Sequence, residues 1–333
     1  MFRIVIAIGV SGLLYIMAKP NKRRRIIRQK FVPPSETINT DIQIWTAHDA
    51  ASRTATVSRV KLAMACMTRH PLAIESWLNH HRSTVGVDHF FMCVEDSPDV
   101  ERLLRQKYAH CVTMTSNRNS DATPAYFSQM DRQAAHVNSS IELARQRGFT
   151  HLVHIDDDEL LFCPSGVDAF KGCLGGECEG YSSIHMSNIE AVYEASDCSD
   201  PFGTVEWFCI RPTLFTAYVN GKSIGTLSDE RLQMQGPHAF TGSTKDIPAH
   251  VVVVAHYESA CYDRWMDKFK SYAKDTPDAC ANGRIPFPFY CASIDAASAA
   301  DSEKKRVWEQ WKTKPAKREG IIHTGVLLNR SSL

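Results

Sequence analysis

The chain has 333 residues, of which 44% are hydrophobic and 23% are charged, a composition that is ordinary for a soluble globular core. Its formal net charge is +1, but residues 1–30 hold eight Lys or Arg and no Asp or Glu, which leaves a formal charge of −7 on residues 31–333. That acidic remainder offers no basic surface for DNA or RNA and contains no nucleic-acid-binding motif, so we expect no nucleic-acid partner.

Residues 1–20 predict a single membrane anchor. Ile4–Ala18 is an uncharged run of 15 residues between Arg3 and the basic stretch Lys19–Lys30. The run is shorter than the roughly 20 residues of an ordinary membrane-spanning helix, and a cleaved signal peptide is the alternative. Residues 21–56 then predict a basic flank followed by a stem of small polar residues.

The next 60 residues or so predict strands that alternate with helices. Apolar runs typical of buried strands lie at 57–67, 87–94 and 111–116. A helix with apolar spacing begins at Ile74 and stops at Gly86. A second helix begins at Ser97, a capping residue, followed by Pro98 at the first helical position.

The clearest helix leads into an acidic run. One apolar helix face is formed by Met130, Ala134, Val137, Ile141 and Ala144. Gly148 ends this helix, and residues 149–155 predict a strand that runs directly into Asp156, Asp157, Asp158 and Glu159. Four adjacent carboxylates repel one another, so the run predicts either a solvated turn or a site that holds a cation.

The later half is less regular. Residues 204–211 and 249–257 predict strands, Asp263–Lys274 predicts an amphipathic helix, and the tail 301–333 predicts a basic surface helix. Alternating strands and helices favour an α/β domain with a mostly parallel sheet over residues 57–300.

Polar residues fall where the predicted parallel strands end, which is where such sheets bind ligands. Thr68-Arg69-His70, Glu95-Asp96 and the acidic run all lie at such ends. Two carboxylates in an Asp-x-Asp pattern suit a hard cation, Mn²⁺ or Mg²⁺, whose coordination a substrate phosphate often completes. We therefore expect a metal site rather than a solvated turn.

Three segments resemble the glycosyltransferase family 2-like group that includes family 92. They are ESWLNHHRSTVGVDHFFMCVEDSPD, RQAAHVNSSIELARQRGFTHLVHIDDDELLF and HYESACYDRWMDKF, and the likeness covers roughly residues 60–275. The resemblance implies a GT-A fold, which is a Rossmann-like mostly parallel sheet with flanking helices, one nucleotide-sugar site and a divalent ion, usually Mn²⁺. The family often has an Asn-Glu pair after its first strand, where this chain has Thr68-Arg69-His70.

The resemblance implies roles for individual residues. Asp156 and Asp158 are the expected metal or diphosphate ligands, and His238 is the expected histidine ligand, with His256 as second candidate and a core histidine as the alternative for each. The expected donor-binding residues are Thr68, Arg69, Glu95, Asp96, Asp157 and Lys222. Candidates for the base that deprotonates an acceptor hydroxyl are Glu190 and Glu206, together with Glu194.

The sequence therefore suggests a metal-dependent glycosyltransferase that moves a sugar from a nucleotide-sugar donor to a hydroxyl of a glycan or glycoconjugate. The expected donor is a UDP-sugar, and the expected stereochemical outcome is inversion. A non-catalytic carbohydrate-binding protein of the same fold is the alternative. We expect a lumenal domain in the Golgi or secretory pathway, although the positive-inside rule applied to the basic flank favours the cytosol.

The eleven cysteines do not form a CxxC zinc pattern. Two pairs could form disulfides on loops: Cys173 with Cys178, or Cys280 with Cys291. The alternative is that the thiols are small buried apolar groups.

Overall fold

The computed structural model describes residues 59–117, 126–193, 200–275, 280, 285, 287–312 and 321–323. The predicted anchor and stem, residues 1–56, lie outside these ranges. Within them, no helix combines the length and the apolar character that crossing a bilayer requires.

Strands and helices alternate through the first half of the described chain. In chain order the strands are β1 (Leu62–Thr68), β2 (His89–Glu95), β3 (Val112–Asn117), β4 (His151–His154), β5 (Glu159–Phe162), β6 (Ser183–Met186), β7 (Asn188–Val192), β8 (Trp207–Cys209), β9 (Lys222–Thr226), β10 (Thr244–Ile247), β11 (Val253–His256) and β12 (Ile321–His323). The helices are α1 (Ile74–Ser83), α2 (Pro98–Lys107), α3 (Tyr126–Gln146), α4 (Val167–Leu174), α5 (Pro201–Thr204), α6 (Tyr262–Asp275), α7 (Pro288–Ala296) and α8 (Asp301–Lys312).

A seven-stranded sheet has the order β10-β6-β9-β4-β1-β2-β3. β1 pairs in parallel with β2 and β4, and β2 pairs in parallel with β3, while β9 is antiparallel to both of its neighbours. Every residue of the central strand β1 is buried, as expected of a parallel strand covered on both faces. The predicted mixed α/β architecture with a parallel-rich sheet is confirmed.

Helix α3 covers one face of this sheet, as its apolar spacing predicts. Val137, Ile141 and Ala144 are buried in one cluster with Ala63 and Leu152 of the sheet. This packing fixes the position of the strand end before the acidic run.

A second sheet, of order β12-β8-β7-β11-β5, was not predicted from the sequence. β5 begins at Glu159, the last residue of the acidic run, and pairs antiparallel with β11. The sequence ELLF carries no period that distinguishes a strand in a new sheet from the continuation of the preceding strand. The acidic run therefore connects two sheets rather than ending one.

Three side chains of helix α1 cover the edge of β5 that pairs with no other strand of the small sheet. Trp77 Nε1 donates to the carbonyl of Glu159 at 2.7 Å, and His80 Nε2 donates to the carbonyl of Leu161 at 2.7 Å. His81 Nε2 accepts from the Leu161 amide at 3.1 Å. An unpaired strand edge needs such partners, so the ESWLNHH segment has a structural role next to the acidic run.

Helix α8 lies in the tail where a surface helix was predicted, and one of its faces is buried. Trp308 of α8 is fully buried, stacks on Tyr193 and donates to the carbonyl of Ser259 at 3.1 Å. Of the two predicted cysteine pairs, Cys280 and Cys291 form a disulfide, whereas the sulfurs of Cys173 and Cys178 lie 3.7 Å apart as thiols.

Gly221, just before β9, is required by a close backbone contact. Its φ is +59°, and a Cβ at this position would lie 1.8 Å from the carbonyl oxygen of Met186. We expect Gly221→Ala to lower the free energy of unfolding by at least about 2 kcal/mol more than Gly236→Ala. Gly236 is the matched control, because its φ is +73° but a Cβ there meets no atom within 4 Å. Urea unfolding of both variants measures the difference, and equal losses would contradict the steric argument.

Candidate functional site

The carboxyl ends of β1, β2 and β4 meet at one edge of the large sheet, and the backbone there is strained. Three non-glycine residues of the described chain have positive φ: His70 (+51°), Asp96 (+47°) and Ser259 (+55°). They follow β1, β2 and β11 respectively. Non-glycine residues in this region persist only where surrounding contacts enforce them, and they often cluster at functional sites.

The acidic run crosses this edge from one sheet to the other. The hydroxyl of Thr68, the last residue of β1, donates to Asp157 at 2.6 Å, and the carbonyl of Asp158 accepts from the Tyr257 amide at 2.8 Å. Each of these contacts ties the run to a strand end. Consecutive aspartates are thereby fixed in different surroundings.

Asp156 faces Lys222, the first residue of β9. Lys222 is fully buried, and its ammonium donates to Asp156 at 2.6 Å and lies 3.4 Å from the carboxylate of Glu159. The other carboxylate oxygen of Asp156 accepts from the Gln133 side chain at 2.5 Å. The two predicted site residues Asp156 and Lys222 are therefore paired with each other.

The pKa values of this group follow from burial and charge. Loss of water contact raises the pKa of the Asp156 carboxyl, but Lys222 outweighs that effect and holds it well below its ordinary value. Burial raises the pKa of Glu159, although Lys222 opposes the rise. Burial lowers the pKa of Lys222, but Asp156 and then Glu159 more than reverse this, so the lysine stays charged in the interior.

Asp158 belongs to a different group. Among the described residues, Asp158, His256 and Glu258 offer three potential ligand atoms within 4.8 Å of one another. His256 Nε2 lies 3.8 Å from an oxygen of each carboxylate, which is too long for a hydrogen bond but leaves room for a cation between them. One imidazole and two carboxylates are ligands that Mn²⁺ and other divalent ions accept.

The imidazole of His256 fits this use. Its Nδ1 atom is buried and has no hydrogen-bond partner in the part of the chain that the structure describes. Neither ring nitrogen is therefore engaged by a close protein partner. The donor set fits a divalent cation held by Asp158, His256 and Glu258.

Glu258 was not singled out from the sequence, and it anchors the site to the C-terminal helices. Lys268 of α6 donates to both of its carboxylate oxygens, at 2.9 and 2.8 Å, and the Tyr290 hydroxyl of α7 donates to one of them at 2.8 Å. Spacing was the available signal: Glu258 lies two residues after His256, and alternate residues of an extended segment project to the same side.

His238 shares an aromatic neighbour with His256. The ring of Tyr218 packs against both histidines, with centroid distances of 4.5 Å to His238 and 4.7 Å to His256. His238 Nδ1 donates to the carbonyl of Gly221 at 2.8 Å, and burial, then Lys222, lowers its pKa to about 3. The structure thus brings His256, and not the predicted His238, into the group with Asp158.

The candidate bases occupy contrasting places. Glu190 is fully buried and pairs across the small sheet with His256. Its carboxylate accepts from the amide of Thr216 at 2.8 Å, the hydroxyl of Thr216 at 2.8 Å and the amide of Ala217 at 3.0 Å, so it holds the loop that carries Tyr218. Glu206 is exposed just before β8, and Glu194 lies outside the described residues.

The remaining predicted donor-binding residues form two ion pairs at strand ends. Arg69 lies 3.3 Å from the carboxylate of Asp96. Glu95 is buried and accepts two hydrogen bonds from Arg132 of α3, at 2.6 and 3.0 Å. Glu95 thus pairs with Arg132 within the protein, a contact that the sequence does not predict.

The charges around the acidic run do not balance. Five carboxylates lie in the acidic run or at Glu258: Asp156, Asp157, Asp158, Glu159 and Glu258. Within the described residues, three Lys or Arg side chains contact them: Lys222, Arg264 and Lys268. With histidines counted as neutral, two negative charges are left over, and one divalent cation would compensate them.

The pair of Lys222 and Asp156 generates a prediction about stability. Lys222→Met leaves Glu159 in the interior without a cation, so we expect the free energy of unfolding to fall by about 3–5 kcal/mol. Because the two partners are in contact, the double variant Lys222→Met/Asp156→Asn should lose at least about 1 kcal/mol less than the sum of the single variants. Urea unfolding monitored by tryptophan fluorescence measures the cycle, and additive losses would contradict the assigned pair.

The chain is similar to two curated glycosyltransferase-like proteins of Arabidopsis thaliana. One is 23% identical over 236 residues, which cover 57% of this chain and 45% of the relative. The other is 24% identical over 206 residues, which cover 49% of this chain and 45% of the relative. The chain thus spans somewhat less than half the length of the curated relatives it matches.

Comparison with family models gives no match. Among solved structures, the chain is similar to residues 1–349 of S. aureus TarS in complex with UDP, with a TM-score of 0.35 and 9% identity. That likeness covers 76% of this chain and 91% of the TarS chain.

Proposed function

We propose that this protein is a metal-dependent glycosyltransferase that transfers a sugar from a nucleotide-sugar donor to a hydroxyl of a glycan or glycoconjugate. The observation that carries the proposal is the group of Asp158, His256 and Glu258, which lies where the acidic run after β4 meets the carboxyl end of β11. The similarity to two glycosyltransferase-like proteins supports the same reaction class.

In this proposal Asp158, His256 and Glu258 hold the divalent cation. When bound, the cation supplies charge neutralisation for the diphosphate leaving group. Asp156 serves mainly as the partner of Lys222, which holds the start of the acidic run in place. His238 supports the Tyr218 ring beside His256 instead of contacting the cation.

The finer features of the proposal rest on the resemblance to the family 2-like group. They are a UDP-sugar donor, Mn²⁺ as the ion and inversion at the sugar carbon. The secretory-pathway location and the membrane anchor likewise stay predictions, since residues 1–56 lie outside the described ranges.

A carbohydrate-binding protein without transferase activity is the second candidate, and one observation favours it. Lys222 already pairs with Asp156, so one of the two carboxylates of the Asp-x-Asp pattern is engaged by an internal cation. Against this candidate stand the three potential ligands around Asp158 and the uncompensated negative charge.

Donor hydrolysis tests the proposal directly. We expect the purified protein to release nucleoside diphosphate from at least one member of a panel of nucleotide sugars when Mn²⁺ is present. Asp158→Asn should abolish release without lowering the melting temperature, because it removes a metal ligand but keeps the side-chain shape. Binding of sugars or glycans with no release from any donor would favour the carbohydrate-binding alternative.

The two histidines provide a sharper test of the metal site. We expect His256→Ala to raise the Mn²⁺ concentration for half-maximal donor hydrolysis by roughly 10- to 100-fold, reasoning from the size of effects on metal affinity. His238→Ala is the matched control, since it removes the other histidine that packs against Tyr218. The assignment would be reversed if His238→Ala shifted the Mn²⁺ dependence while His256→Ala left it unchanged.

A further inference from the structure

A nucleotide-sugar donor brings negative charge to a site that already has an excess of carboxylates. One divalent cation compensates only the two negative charges left over by the protein itself. The diphosphate therefore also needs hydrogen-bond donors, and charged donors bind phosphate oxygens most strongly. Lys222, Arg264 and Lys268 are the three cations in contact with the acidic groups, and each has to be considered.

The ammonium groups of both lysines already contact acceptors within the protein. Lys222 is fully buried between Asp156 and Glu159. Lys268 uses its ammonium protons on the two carboxylate oxygens of Glu258 and on the Tyr290 hydroxyl, at 2.9, 2.8 and 3.0 Å. An ammonium has three protons, so Lys268 has no further donor to offer without breaking one of these contacts.

Arg264 differs from both lysines. It lies in the first turn of α6, where one guanidinium nitrogen donates to the carbonyl of His70 at 2.9 Å and another to Asp157 at 3.4 Å. A guanidinium has five N–H donors, so these two contacts leave donors for a ligand. The side chain is 27% exposed. Burial lowers the pKa of Arg264, but the carboxylates of Asp157, Asp158 and Glu258 more than reverse this, so the guanidinium stays charged.

The position of Arg264 is fixed from two sides of the site. The carbonyl of His70 follows β1, and Asp157 belongs to the acidic run, so the guanidinium bridges the two strand ends that border the candidate metal group. His70 is itself held in place, with a positive φ and an amide that donates to Ser97 Oγ at 2.8 Å. A pre-positioned guanidinium loses little freedom when it binds phosphate oxygens.

We propose that Arg264 binds the diphosphate of the nucleotide donor, beside the cation held by Asp158, His256 and Glu258. This inference rests on the proposed function and adds a substrate-contacting residue to it. The planar fork of the guanidinium suits two phosphate oxygens at once, which an ammonium cannot match. Arg264 keeps its contact to the His70 carbonyl, while the weak 3.4 Å contact to Asp157 yields to the phosphate.

Binding of UDP and of uridine, each in the presence of Mn²⁺, tests the assignment. We expect Arg264→Ala to weaken UDP binding by roughly 10- to 100-fold, as the loss of charge-assisted hydrogen bonds does, and to leave uridine binding unchanged. Arg264→Lys should fall between the wild type and Arg264→Ala, because it keeps the charge and loses the fork. Arg231→Ala is the control, since Arg231 has a 95% exposed side chain and lies 3.9 Å from Asp229.

Each other outcome overturns a different statement. If the wild type binds UDP and both Arg264 variants bind it equally well, Arg264 does not contact the diphosphate. Equal losses of UDP and uridine binding, with a lower melting temperature, would assign Arg264 a structural role only. A wild-type protein that binds no UDP would overturn the UDP-sugar donor of the proposed function, and this inference with it.

Discussion

The structure of the site depends on one buried ammonium group. Lys222 belongs to β9 of the large sheet, its partner Glu159 begins β5 of the small sheet, and its partner Asp156 lies in the connection between them. Removing an ammonium from water is costly unless opposite charges compensate it, so the lysine and the two carboxylates require one another. This requirement fixes the point at which the two sheets join, and the rest of the acidic run follows from it.

Consecutive acids of the run consequently have different chemistry. Asp156 and Glu159 share the single positive charge of Lys222, and the Tyr218 hydroxyl adds a hydrogen bond to Glu159. Asp157 pairs with Arg264, whereas Asp158 lies near the imidazole of His256. The ring of Tyr218 contacts His256 and Lys222, so it lies between the group around Lys222 and the group around Asp158. The group around Asp158 is where a cation and a phosphate could bind together.

Local periodicity predicts much of the fold because strands and helices alternate in the first half of the chain. Each helix there has one apolar face, and each inner strand is a continuous apolar run. The spacing of Val137, Ile141 and Ala144 predicts α3, and the cap at Ser97-Pro98 predicts α2. The small sheet could not be predicted in the same way. Its strands are three to five residues long, and they pair with partners far away in the chain, such as β5 with β11. Strand length and apolar content are then compatible with several arrangements, and only tertiary pairing selects one.

The site was predictable as a location, but the roles of individual residues were not. Strand ends in a parallel sheet fix where ligands bind, and Thr68 and the start of the acidic run lie there, while His256 comes from the small sheet. The role of each acid, however, depends on the cation opposite it. Lys222 lies 66 residues from Asp156, and Arg264 lies 107 residues from Asp157. An Asp-x-Asp pattern carries no information about such distant partners. Asp156 and Asp158 therefore look equivalent in the sequence, but in the folded chain Asp156 pairs with Lys222 and Asp158 lies in the candidate metal group.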